Sequence, residues 1–218
     1  MNTKAVIFDL DGTLLNTLDD LADSMNQILS RHKLPTHPSS AYRYFVGNGA
    51  LQLVTRAIPE SQRNDSFIQT CFSEFISEYG QNWNHKTRPY EGIEQLLGQL
   101  QQRHIALTVL TNKPHDAALK CMAEFFPGWN FSIILGQRMG VPVKPDPTAV
   151  EEILRHLNIS HTEAIFIGDS NVDMETGTNA QLQPIGVSWG FRSRQELESA
   201  GAAAVIDHPM ELLDYLDN

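Results

Sequence analysis

Cysteine is scarce in this chain, and so are the features that would direct it to a membrane or a nucleic acid. Only Cys71 and Cys121 occur in 218 residues. Each lies in an apolar helical pattern, which argues against a disulfide framework. No hydrophobic run approaches the roughly 20 residues of a membrane span. The first apolar stretch follows a single lysine and is cut off at Asp9, too early for a signal-peptide core. Positive charge is sparse, with 16 Lys and Arg against 26 Asp and Glu. The resulting net charge of −10 argues against a nucleic-acid backbone or an anionic lipid surface as partner. Repeats and low-complexity tracts are also missing. The composition points to a soluble, cytoplasmic protein. Its 41% hydrophobic content suffices for one large domain or two modest ones.

Short apolar, β-branched runs recur at Ala5–Leu10, Ile105–Leu110, Phe131–Leu135, Ala164–Ile167, Pro184–Val187 and Ala203–Ile206. Such runs suit a parallel sheet covered on both faces. Helical stripes lie between most of them: Ile93, Leu96, Leu97 and Leu100; Ala118, Cys121, Met122 and Phe125; Val150, Ile153, Leu154 and Leu157. Pro147 behind Asp146 reads as a first-turn proline after an N-cap acid. The alternation predicts an α/β, Rossmann-like core with helices on both faces. From Leu15 to His85 it stops, and helical stripes such as Leu18, Leu21, Met25, Ile28 and Leu29 follow one another. The expected organisation is a core of residues 1–14 and 86–218, with a small all-α domain of residues 15–85 inserted after the first strand. Its return, "TRPYEG", is rich in turn residues.

Ligands in an open parallel sheet sit beyond the carboxyl ends of the strands. The residues following the expected strands are Asp9, Asp11, Gly12 and Thr13; then Thr111, Asn112 and Lys113; then a loop to Lys144; then Gly168, Asp169, Ser170 and Asp173. Asp9 and Asp11 share one face of an extended chain. With Asp169 they form the hard-oxygen set that Mg²⁺ prefers. Such an ion would offset repulsion among the acids and toward a phosphate. The Thr111 hydroxyl, backbone N–H groups and the Lys144 ammonium can hold phosphoryl oxygens. No serine–histidine or cysteine–histidine pairing is evident, so a carboxylate is the natural nucleophile.

"DLDGT" at 9–13, "TNK" at 111–113, "KPDP" at 144–147 and "GDSNVD" at 168–173 resemble the four ordered motifs of the haloacid dehalogenase superfamily. The helical insert is similar to that superfamily's α-helical cap. "TRPYEGIEQLL", "LTVLTNKP" and "VGNG" resemble its phosphoglycolate phosphatase branch. The resemblance implies that Asp9 attacks phosphorus and ligates Mg²⁺. It implies that Asp11 acts as general acid and base, with its carbonyl on the metal. Asp169 would ligate the metal, with Asp173 as a supporting acid. Thr111 and the Asn112 N–H would bind the phosphoryl group, Lys144 would neutralise charge, and Gly12 would permit the turn. Dehalogenases of this superfamily lack an acid at the position of Asp11, which favours phosphoryl transfer. Asn16, where many relatives carry an acid, and the few Ala and Gly residues of "METGTNAQLQP" depart from the pattern.

The expected activity is Mg²⁺-dependent hydrolysis of a small, phosphoglycolate-like phosphorylated metabolite through an aspartyl-phosphate. The alternatives are a phosphomutase of the β-phosphoglucomutase type and a silent binding module. The second would have lost one of the key residues, and none is lost. Arg43, Asn48 and Arg56 are the expected substrate contacts in the cap, and "GNG" at 47–49 a cap loop facing the site. "DSNVDME" is no EF-hand loop, since Met174 stands at the turn glycine and Ala180 at the final glutamate. The sequence allows a monomer or a homodimer.

Overall fold

The structure, a computed structural model, describes residues 3–216. The chain enters through β1 (Ala5–Phe8) and a two-residue strand, β2 (Leu15–Asn16). It continues through α1 (Leu18–Arg31), α2 (Tyr42–Phe45), α3 (Ala50–Ala57) and α4 (Asp65–Asn82) to β3 (Arg88–Pro89). Strand and helix then alternate: α5 (Ile93–Gln102), β4 (Ala106–Pro114), α6 (His115–Phe125), β5 (Phe131–Gln137), α7 (Thr148–Leu157), β6 (Ala164–Gly168), α8 (Asn171–Asn179), β7 (Gln183–Val187), α9 (Arg194–Ser199) and β8 (Ala204–Ile206).

Six strands form one parallel sheet in the order β5-β4-β1-β6-β7-β8, so the fold is the expected α/β, Rossmann-like one. β1 lies between β4 and β6, where the connections reverse direction across the sheet. Such a switch point opens a crevice at the strands' carboxyl ends. Alternation along each strand divides the core. Val6, Phe8, Leu107 and Val109 pack under α5 and α6, whereas Ala5, Ile7 and Phe166 pack on the other face against Ile153 and Leu154 of α7.

Helices α1 to α4 have a separate apolar cluster, in which Met25, Ile28, Leu29, Tyr42 and Val54 are wholly inaccessible. Burying each large apolar side chain contributes about 1.5–3 kcal/mol, so the stripes seen along the sequence account for the block's cohesion. Phe191, from the loop after β7, joins this cluster. At the return of the block, the buried Asp20 carboxylate accepts from the Lys86 N–H at 3.0 Å, the Thr87 N–H at 2.8 Å and the Thr87 hydroxyl at 2.8 Å.

Three local details differ from the sequence reading. β2, within the span expected to lack strands, forms a short antiparallel ribbon with β3 in the turn-rich return; two residues are too few to leave a periodicity. Strand β4 runs through Thr111, Asn112 and Lys113 to Pro114, with a register shift against β5 after Leu110. Helix α7 starts at Thr148, one residue beyond Pro147. The Asp146 carboxylate accepts from the Thr148 N–H at 2.9 Å, so the acid works as expected while the proline sits just outside the first turn.

Candidate active site

The Asp9 N–H donates to the Ile167 carbonyl at 2.9 Å, continuing the pairing of β1 with β6 and fixing the aspartate at the sheet's edge. Parallel pairing sets Phe8 beside Ile167, which brings the residues after β6 next to Asp9. Asp9, Asp169 and Asp173 are all buried, and one carboxylate oxygen from each lies within 4.8 Å of the others. Like charges held this close in low dielectric need compensation. Lys144 supplies part of it, its ammonium lying 2.7 Å from Asp9 Oδ1 and 2.6 Å from Asp173 Oδ1.

Asp173 is further tied by the cap of α8. Its Oδ2 accepts from the Ser170 N–H at 3.0 Å and the Ser170 hydroxyl at 2.6 Å. Asp169 accepts from the Phe191 N–H at 2.7 Å and, more weakly, from the Thr13 hydroxyl at 3.4 Å. Burial pushes the Asp9 carboxyl up to about 7, with Lys144 opposing and Asp173 adding to the rise. Burial, Asp173 and Asp9 also hold the Asp169 carboxyl well above the usual range, against the Phe191 N–H. Burial alone would lower the Lys144 ammonium, but Asp173 and Asp9 outweigh it and keep Lys144 charged.

Asp11 stands apart from this cluster. Its carboxylate faces a cavity and pairs with the buried Lys113 ammonium at 3.0 and 3.2 Å, and Lys113 also donates to the Tyr79 phenol oxygen at 2.9 Å. Both acids of the pair line the cavity, and Asp9 also belongs to the carboxylate cluster. Thr111 Oγ1 accepts from the Lys113 N–H at 3.2 Å. The Asn112 amide donates to the Gly47 and Lys144 carbonyls at 3.0 and 3.1 Å, and its oxygen accepts from the Lys144 N–H at 2.9 Å. The Asn112 side chain therefore clamps two loops, one of them the Gly47–Gly49 loop that lines the cavity.

Gly12 has φ +95°, and a Cβ there would lie 2.3 Å from Asp169 Oδ2. Gly12→Ala is expected to cost about 2–4 kcal/mol from overpacking and left-handed strain. A urea melt of the variant checks this.

None of Arg43, Asn48 and Arg56 lines the cavity. The Arg56 guanidinium is held by the Phe45 carbonyl at 3.1 Å and by Asn48 Oδ1 at 2.8 Å, so this pair braces α3 against the preceding loop. Arg43 contributes its carbonyl to Arg192. In this structure Arg56 and Asn48 bond within the helical block, and the Arg43 carbonyl bonds to the loop after β7.

Two features escaped sequence reading. The Lys113–Asp11 pair was signalled only by a lysine following Thr111–Asn112. The loop after β7 was signalled by Gly190 beyond a strand end. A Cβ on Gly190 would meet Asp169 Cβ at 2.2 Å, and its neighbour Phe191 supplies the N–H to Asp169.

The donor set suits a divalent cation. Only two ammonium groups, Lys113 and Lys144, face the four carboxyl groups of Asp9, Asp11, Asp169 and Asp173, so full ionisation of the set calls for a further cation. Oxygen donors without thiolate or imidazole suit a hard ion. Asp9 and Asp169 would hold it, since Asp173 is committed to Lys144 and Ser170.

Residues 6–187 match the model of the haloacid dehalogenase-like hydrolases. The chain belongs to that family. Among its relatives in the family is a phosphoglycolate phosphatase of Psychrobacter arcticus, 32% identical over 99% of this chain and 96% of the relative. An N-acetylmuramic acid 6-phosphate phosphatase of Pseudomonas aeruginosa is 30% identical over 100% of this chain and 96% of its own length. A Lactobacillus delbrueckii subsp. bulgaricus protein, solved as a candidate phosphoglycolate phosphatase, superposes with TM-score 0.93 at 30% identity over 99% of both chains. The chain is thus a haloacid dehalogenase-like phosphatase. Among the described residues no helix is long and apolar enough to cross a membrane.

Proposed function

We propose that this phosphatase is a Mg²⁺-dependent phosphomonoesterase that cleaves a small phosphorylated metabolite by way of an aspartyl-phosphate on Asp9. One observation supports the reading: Asp9 belongs to the buried carboxylate cluster with Asp169 and lines the same cavity as Asp11. Asp9 attacks phosphorus. Asp11 gives a proton to the leaving oxygen and later takes one from the attacking water. Thr111 and the Asn112 N–H hold phosphoryl oxygens. Lys144 offsets charge beside Asp9, Gly12 lets Asp169 approach, and Asp173 keeps Lys144 in place. When bound, Mg²⁺ supplies the positive charge that lets an anionic ester approach these carboxylates. Residues 15–85 act as a cap that closes on the core of residues 1–14 and 86–218 and excludes water.

The relatives' names place phosphoglycolate first in the assay. Inorganic phosphate release from it and from sugar phosphates is expected with Mg²⁺ and not with EDTA. Transfer of phosphate back to a sugar, with a bisphosphorylated intermediate, would instead indicate a mutase. Folded protein that releases no phosphate from any ester would end the phosphatase reading.

Metal binding should also depend on pH. The folded Asp9 carboxyl, at about 7, lies above its ordinary 3.8. Its contribution to the stability of the metal-free protein is therefore full below the ordinary value and lost as pH rises through about 7. To hold a cation the Asp9 carboxyl would have to give up that proton. The rise in melting temperature on adding Mg²⁺ is accordingly expected to be larger at about pH 8 than at about pH 5. Equal shifts at both values, read by differential scanning fluorimetry, would count against Asp9 as a ligand.

A further inference from the structure

The Lys113 ammonium joins the sheet to the helical block. Its backbone belongs to β4, and the ammonium reaches both Asp11 carboxyl oxygens, at 3.0 and 3.2 Å. On its other side it donates to the Tyr79 phenol of α4 at 2.9 Å and lies 4.9 Å from the centre of that ring. Asp11, Lys113 and Tyr79 all line the cavity that Asp9 and Thr111 line. Lys113 and Tyr79 are buried.

Lysine carries its ammonium on a flexible four-carbon stem, so a single partner does not fix where the charge sits. Tyr79 supplies the second partner, and it is itself held firmly. Its ring stacks on Phe75, with centroids 5.7 Å apart and planes 8° apart, inside the apolar cluster of the helical block. The stacked ring thus anchors the ammonium, and the ammonium anchors the Asp11 carboxyl. This holds when Asp11 is protonated as well. An ammonium has three donors and no acceptor, so it bonds the carboxyl oxygen that lacks the proton. The proton is then left on the other oxygen, free to be given away.

Resting on the phosphatase reading above, we infer that Tyr79 is a positioning residue for the general acid, holding Asp11 through Lys113 in the orientation that protonates the leaving alcohol. In that step an Asp9 oxygen bonds to phosphorus and the ester P–O bond breaks. The electron pair of that bond stays on the alcohol oxygen, which takes the Asp11 proton. Misplacing Asp11 weakens the proton transfer and leaves the Asp9 oxygen where it was.

Three esters of rising leaving-group basicity test the inference: 4-nitrophenyl, phenyl and benzyl phosphate. Nitrophenolate departs readily without a proton, whereas the benzyl alkoxide needs one. The ratio kcat/KM extends only to departure of the alcohol, so the later attack of water on the aspartyl-phosphate does not enter it. Tyr79→Phe keeps the ring on Phe75 and removes only the oxygen that Lys113 bonds. With Mg²⁺, its loss in kcat/KM is expected to grow along the series, to about tenfold more for benzyl than for 4-nitrophenyl phosphate. Lys113→Met is expected to show the same graded loss. On benzyl phosphate and on phosphoglycolate, Tyr79→Phe is expected to cost about tenfold in the wild-type background and less than about twofold beside Lys113→Met. A loss equal on the three aromatic esters, or one undiminished beside Lys113→Met, would assign Tyr79 to packing alone and overturn the inference. Wild-type protein that is folded and releases no phosphate from any ester would overturn the phosphatase reading, and the inference with it.

Discussion

Asp9→Asn is expected to abolish turnover, lowering kcat by at least about 10³-fold while the protein stays folded. Asparagine matches aspartate in shape but offers no anionic oxygen to attack phosphorus. The variant also removes one carboxylate from a cluster whose burial already pushes Asp9 up to about 7. At alkaline pH the metal-free variant should therefore be no less stable than wild type. Its stabilisation by Mg²⁺ should shrink, because one of the two proposed carboxylate ligands is lost. Phosphate release and thermal melts on one preparation separate the chemistry from the fold. Loss of activity with an unfolded variant would leave no support for a nucleophile at this position. Retained activity would exclude one.

Lys144→Met is expected to have the largest effect on stability. The ammonium is 3% exposed and holds both Asp9 and Asp173. Breaking a buried pair by removing one partner typically costs about 3–5 kcal/mol. For a chain of this size each kcal/mol lowers the melting temperature by about 2–4 °C. The sign of the pH dependence follows from the acids left behind. Without Lys144, which opposes the rise, the folded Asp9 carboxyl moves further above its unfolded value, so its contribution is kept at low pH and lost as pH rises. The deficit against wild type should accordingly be greater at about pH 8 than at about pH 5, and Mg²⁺ should recover part of it. Thermal melts at both pH values, with and without Mg²⁺, check each statement. A deficit that grows toward acid would contradict the ion-pair account.

The parts of the site that follow strand ends were legible in the sequence. Near-continuous apolar runs such as Ala5–Leu10 and Ala164–Ile167 announce buried parallel strands. In a parallel sheet the residues after them share one edge, so Asp9, Thr111 and Asp169 could be grouped without coordinates. The helical block was legible for a related reason, because the stripes of α1 and α4 repeat at helical spacing over three turns or more.

Pairings across elements were not legible. Lys113 meets Tyr79 only because one face of α4 is laid over the edge of the sheet, and no periodicity encodes that placement. Arg56 illustrates the converse. A cation near the end of an amphipathic helix reads the same whether it points to a ligand or, as here, to the Phe45 carbonyl and Asn48. The Asp169 cradle at Gly190 and Phe191 depends on how the loop after β7 folds back, which a run of mixed residues does not declare.

The most direct measurement is to trap the enzyme during turnover. Protein mixed with a hydrolysed ester and Mg²⁺ is quenched in acid and reduced with borohydride, and the peptide containing Asp9 is read by mass spectrometry. An acyl phosphate on Asp9 is reduced to homoserine. The account predicts homoserine at residue 9, absent without ester, absent with EDTA and absent in Asp9→Asn. Steady phosphate release with residue 9 unmodified, or with the label on another residue, would contradict it.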